Sequence, residues 1–193
     1  MKVFEELRVI LGQIYKKNLI VHLTHDTMVS MTHINPIQQA AHLVILDIEN
    51  MAGSPNPTPA ELVQIHDQLA DVIDGYDDLP CIVACSHRAA PIVMFAFPKA
   101  LRRLQSGPNG ADMALLREMC EHRVMNRYAK VTLCSGDGIF TDEVAHLGWA
   151  GVEVTVVAHE GSLANRLRLA AARVVTLAPP DEFAPAAAMR EAS

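Results

Sequence analysis

No stretch of the chain approaches roughly 18 uninterrupted apolar residues, so nothing in it reads as a membrane span. The first residues include Lys2, Glu5, Glu6 and Arg8, and do not read as a signal peptide. Basic charge is in deficit: 16 Lys+Arg against 22 Asp+Glu leave a net charge of −6. Overall charge therefore cannot hold the chain to nucleic acid, and any such binding must rest on a local basic patch. Paired cysteines are also missing. Cys81, Cys85, Cys120 and Cys134 stand in apolar stretches without Cys-x-x-Cys spacing, so they read as reduced, buried thiols and not as zinc ligands. That usage suggests a reducing compartment, with the cytoplasm as the expected location. Aromatic residues make up only 5 %, and no ladder for base stacking is visible, so no base preference is legible.

What is present fits one globular domain with an appended element: 193 residues, half of them apolar and a fifth charged. Residues 2–17 place Val3, Phe4, Leu7, Ile10, Leu11 and Ile14 on one helical face. An apolar stripe of that size calls for burial, and a twofold homodimer through this helix is the expected solution. From Thr24 to His42 the periodicity is lost, and this stretch reads as a linker.

From residue 43 the pattern changes. Leu43–Leu46, Cys81–Cys85, Val131–Cys134, Val152–Val157 and Arg173–Leu177 are short, mostly apolar runs of strand length. Continuous runs suit strands covered on both faces, the condition of a parallel sheet. Thr58-Pro59-Ala60-Glu61 has the form of a capping box, and Leu62, Ile65, Leu69, Val72 and Ile73 follow on one helical face. Further helices are expected over 110–125, 141–149 and 162–171. The fold class is therefore α/β, with a mainly parallel sheet wrapped by helices over 43–178. The Ala- and Pro-rich residues 179–193 read as a frayed tail.

Ligands of such sheets sit beyond the carboxyl ends of the strands. Asp47, Glu49 and Asn50 follow the first run, Ser135, Gly136, Asp137 and Gly138 follow the run ending at Cys134, and Asp112 opens a helix nearby. Three carboxylates converging there would repel one another unless a cation neutralised them, and such donors favour Mg²⁺ or Mn²⁺. Each acid also has a purely structural reading: Asp47 as a turn cap, Asp112 as a partner of the helix dipole, Asp137 as a turn residue. Asp142 and Glu143 look like first-turn helix residues, with Asp142 a secondary candidate for an auxiliary acid. Glu49 fits a surface acid and a supporting role behind the site equally well.

Leu46-Asp47-Ile48-Glu49-Asn50 resembles the D-x-x-N opening of NYN domains, a branch of the PIN-like metal-dependent ribonucleases. Gly110 to Leu115 resembles their middle acidic helix start, and Ser135-Gly136-Asp137-Gly138-Ile139-Phe140 their S-G-D-x-x-F element. The resemblance spans about residues 43–178 in the family's order. It implies a three-layer α/β/α fold and divalent-metal-assisted cleavage of RNA, in single-stranded form. Carried over, Asp47, Asp112 and Asp137 hold the metal and form the catalytic set. Asn50 orients, while Ser135 and the amides around Gly136 and Gly138 hold phosphate or position Asp137. Where many relatives have a second Asp, this chain has Ile139.

Arg88, Lys99, Arg102 and Arg103, with Arg166 and Arg168 further on, are the set from which an RNA backbone grip would come, Arg88, Arg102 and Arg103 foremost. Singly, each is better explained as a solvated surface residue. His87 reads as a structural histidine, and His22 to Asp26 as a weak metal candidate outside the sheet. Two rival functions stand beside the ribonuclease. One is a non-catalytic PIN-like module that binds RNA or protein. The other is a haloacid-dehalogenase-type phosphatase, suggested by Gly136-Asp137 with Asp142, although Glu49 stands where that family needs an Asp.

Overall fold

A computed structural model of the chain describes residues 19–23, 29–33, 41–120 and 124–178. The chain divides into two units, Met1–Ala40 and Ala41–Ser193. In the first, strands β1 (Leu19–Leu23) and β2 (Val29–His33) pair antiparallel, with Leu19 opposite His33 and Leu23 opposite Val29. This corrects the expected linker between Thr24 and His42. Val29-Ser30-Met31-Thr32-His33 does alternate apolar and polar, but a run of five is too short for the alternation to stand out. The helix expected over 2–17 and the tail from 179 lie outside the described residues, as do His25 and Asp26.

The second unit is built on β3 (His42–Asp47), β4 (Cys81–Cys85), β5 (Leu101–Leu104), β6 (Lys130–Cys134), β7 (Glu153–His159) and β8 (Arg173–Leu177). They form one sheet in the order β5-β4-β3-β6-β7-β8, parallel throughout. The helices between them are α1 (Ile48–Ala52), α2 (Pro59–Val72), α3 (Ala90–Ala96), α4 (Gly110–Cys120), α5 (Thr141–Trp149) and α6 (Asn165–Ala170). The three layers expected from the sequence are present. Leu43, Ile45, Leu133 and Val156 face α4, α5 and α6, while Val44, Leu46 and Val83 face α2 and α3. Because both faces are covered, β3 can be apolar at every position from Leu43 to Leu46, all fully buried. Truncating Leu46 or Leu133 to Ala would cost about 2–5 kcal/mol.

Local sequence sets the ends of the elements. The Thr58 hydroxyl accepts the Glu61 N–H (3.3 Å) and the Glu61 carboxylate accepts the Thr58 N–H (2.6 Å), which completes the capping box of α2. Gly53, at φ 62°, terminates α1 in the left-handed region. Strand β5 and helix α3 were not expected. Leu101-Arg102-Arg103-Leu104 is an edge strand exposed or half-buried throughout, so it lacks the apolar run that marked its neighbours. Of the four free thiols only Cys85 and Cys134 are buried. Cys81 is partly covered, and Cys120 is exposed, contrary to expectation, at the end of α4. Among the described residues, no helix is long and apolar enough to cross a membrane.

Candidate active site

The sheet grows from β3 through β4 to β5 on one side and restarts at β6 on the other, so the crevice between the ends of β3 and β6 is the topological switch point. Asp47 ends β3 and Ser135 follows β6, which puts both at that crevice.

Asp47 is 1 % exposed. Its Oδ1 accepts the Asn50 N–H (3.2 Å), so it caps α1, and its Oδ2 accepts the Ser135 hydroxyl (2.8 Å). That hydroxyl also accepts the Asp137 N–H (3.2 Å), and the Asn50 side-chain carbonyl accepts the Gly136 N–H (2.8 Å). The loop after β6 is thus tied twice to the end of β3. Asp137 is exposed, and its Oδ1 accepts the Ile139 N–H (2.9 Å), capping a 3-10 turn over Gly138–Phe140. The structural readings of Asp47 and Asp137 therefore hold together with their placement at the crevice.

Asp112 arrives from the first turn of α4. A Cβ on Gly110 would lie 2.5 Å from the Gln105 carbonyl oxygen, so only glycine lets the start of α4 come this close to the end of β5. The Asp112 and Asp47 carboxyls are neighbours, close enough for each to act on the ionisation of the other. Burial, reinforced by the charge of Asp112, pushes Asp47 up to about 7 against the pull of Ser135 and the Asn50 N–H. Asp112 is also raised, first by burial, then by the charges of Asp137 and Glu49, while the Asp47 carboxyl acts the other way. Both carboxyls are thus pushed above the ordinary aspartate range, burial being the first cause for each.

Glu49, left open between two roles by the sequence, accepts the Ser86 N–H (2.9 Å) and so fastens α1 to the turn after β4. His159 was not singled out from the sequence. It is buried at the end of β7 and bridges the carbonyl oxygens of Met51 (3.0 Å) and Ala178 (2.7 Å), holding α1 against the exit of β8. Only its place at the end of an apolar run hinted at a role.

The basic residues separate clearly. Arg103 is bound to Glu118 of α4 (2.6 Å), and Arg102 donates to the Phe97 carbonyl (3.4 Å), so the fold already engages both. Arg88 is exposed in the turn after β4. Asp142 is exposed in the first turn of α5, and Glu143 beside it is buried, accepting from the Cys120 thiol (3.1 Å). His87 pairs with the Ser106 hydroxyl (3.0 Å), in keeping with its structural reading.

Among the described residues, no three His, Cys, Asp or Glu side chains are grouped so as to hold a metal ion. In place of the expected trio stand two neighbouring carboxyls, Asp47 and Asp112, with Asp137 turned to its own backbone. The pair still fits a hard divalent cation. Both carboxyls are raised in a crevice where Asp137 and Glu49 add negative potential, and Mg²⁺ keeps several waters and needs only one or two carboxylates.

A family model described as NYN domain matches residues 43–178. No curated protein matches the chain. Among solved structures, a protein of unknown function from Vibrio parahaemolyticus is similar at a TM-score of 0.47 and 15 % identity, covering 74 % of this chain and 96 % of that one.

Proposed function

The chain belongs to the NYN domain family, which brings with it a nuclease-type function directed at RNA, and from that premise we propose a divalent-metal-dependent ribonuclease that hydrolyses phosphodiester bonds of single-stranded RNA. The observation that carries the proposal is the buried Asp47, pushed up to about 7 by burial and by the adjacent Asp112. A folded protein that only needed a helix cap at Asp47 would have no use for a second carboxyl against it.

Asp47 and Asp112 would hold Mg²⁺ or Mn²⁺, with Asp137 adding charge from the facing loop. Such an ion supplies an acidified water and neutralises charge on the attacked phosphate. Ser135 and Asn50 keep Asp47 and the Gly136 amide in register across the crevice. The amides of Gly136, Asp137 and Ile139 are already taken up by Asn50, Ser135 and Asp137, so a phosphate oxygen at this loop would be met by the Gly138 amide. Asp142, on the first turn of α5, is an auxiliary acid at most.

Membership of this family sets the phosphatase reading aside. The non-catalytic module keeps one observation in its favour, the absence of a three-ligand group among the described residues. Cleavage of labelled single-stranded RNA and DNA by the full chain, with Mn²⁺ and with EDTA, separates the two. RNA products that appear only with metal support the ribonuclease, and intact RNA under both conditions contradicts it. Twofold association through residues 2–17 is part of the same proposal, and light scattering that reads a monomer for the full chain contradicts that part.

A further inference from the structure

The loop that presents Asp137 is clasped from outside by the segment after β7. The Gly136 carbonyl accepts the Ala164 N–H (2.9 Å), and a Cβ on Gly136 would run into the Ser162 carbonyl oxygen. A Cβ on Gly138 would meet the guanidinium of Arg166, 2.7 Å from Nε and 3.1 Å from Nη2. Arg166 therefore lies directly against the residue that follows Asp137. It is exposed, and among the described residues no ion pair or hydrogen bond engages it, in contrast to Arg102 and Arg103.

The strand order gives this cation a partner. Along the carboxyl edge the strands run β4, β3, β6, β7, and their ends lead respectively to the turn bearing Arg88, Asp47 with Asp112 beside it, the Asp137 loop, and the segment bearing Arg166. One exposed arginine thus stands on either side of the acids, and β4 and β7 are three strand spacings, about 14 Å, apart. A polyanion approaching this acidic cluster is repelled unless cations at the rim receive its flanking phosphates.

Resting on the ribonuclease reading, we infer that Arg166 is a phosphate anchor for the RNA strand, gripping a phosphodiester oxygen on the β7 side of the acids. The RNA backbone then crosses the edge perpendicular to the strands, with Arg88 as the opposite anchor. The absence of a side chain at Gly138 is what admits the guanidinium to that place. Because the clasp fixes residues 162–166 against the loop that also holds Asp47 through Ser135, the cation and the acids keep one spacing.

The test is binding of a fluorescein-labelled oligouridylate to the full chain carrying Asp112→Asn, read by anisotropy over a series of salt concentrations. Arg166→Ala should weaken binding about tenfold and reduce the slope of log K against log salt by about one. Arg166→Lys should recover part of the loss, Gly138→Ala should reproduce part of it, and Arg127→Ala, which removes an exposed cation ahead of β6, should leave binding unchanged. Equal binding and equal slope in Arg166→Ala, or an equal loss in Arg127→Ala, would overturn the inference. Arg166-dependent binding without metal-dependent cleavage by the unsubstituted chain would overturn the ribonuclease reading alone. Cleavage with Arg166-independent binding would overturn this inference alone, and no RNA binding at all would overturn both.

Discussion

The side-chain carbonyl of Asn50 accepts the Gly136 N–H across 2.8 Å, joining the helix after β3 to the loop after β6. The two residues are far apart in sequence, and the bond closes the crevice where the sheet changes its direction of growth. Asn50→Ala leaves a largely covered N–H without its partner and should cost about 1–3 kcal/mol, read as a lower denaturant midpoint at unchanged slope. An unchanged midpoint would mean that Ser135 and the Ala164 clasp hold the loop without Asn50.

The two glycines flanking Asp137 should respond differently to the same substitution. In Gly136→Ala the new methyl meets the Ser162 backbone, which cannot yield without moving the clasp, and a loss of about 1–3 kcal/mol is expected. In Gly138→Ala the nearest atom is Nε of the flexible Arg166 side chain, with the Ala164 Cβ at 3.1 Å, so stability should fall less. Denaturation of the two variants side by side checks this, and equal losses would contradict the packing described.

Asp47 carries its proton up to about pH 7 in the fold, whereas an unperturbed aspartate loses it near 3.8. Between those values the native state binds more protons than the unfolded chain, so without metal this group's contribution to stability is complete below about pH 4 and is lost as pH rises to about 7. Metal-free melting temperatures should therefore carry a downward component across this window that Asp47→Asn removes. A divalent cation favours the ionised pair, so Mn²⁺ should raise the melting temperature more at pH 7.5 than at pH 5. An equal rise at both values, or none, would argue against metal held by these carboxyls.

The layered fold was legible because every central strand is covered on both faces, which leaves apolar runs such as Leu43–Leu46 in plain sight. Edge strand β5 was not, because a half-exposed strand of Leu-Arg-Arg-Leu carries no run and no clear alternation. At the site, Asp47, Asp112 and Asp137 could be picked out by their position after strands or at a helix start. Their pairing could not, since it depends on the close approach of Gly110 to Gln105. The same limit applies to the arginines: spacing cannot tell Arg103, bound to Glu118, from Arg166, which lies open beside Gly138. His159 escaped notice because its role is set by two carbonyls from distant elements.

The most direct test of the account is single-turnover cleavage of a labelled single-stranded RNA with Mn²⁺ by the unsubstituted chain, Asp47→Asn and Asp112→Asn, with circular dichroism to show that each is folded. Removing either carboxylate charge should lower the cleavage rate by at least about a hundredfold while leaving the fold intact. Equal rates in all three folded proteins would contradict the assignment of the chemistry to the Asp47–Asp112 pair.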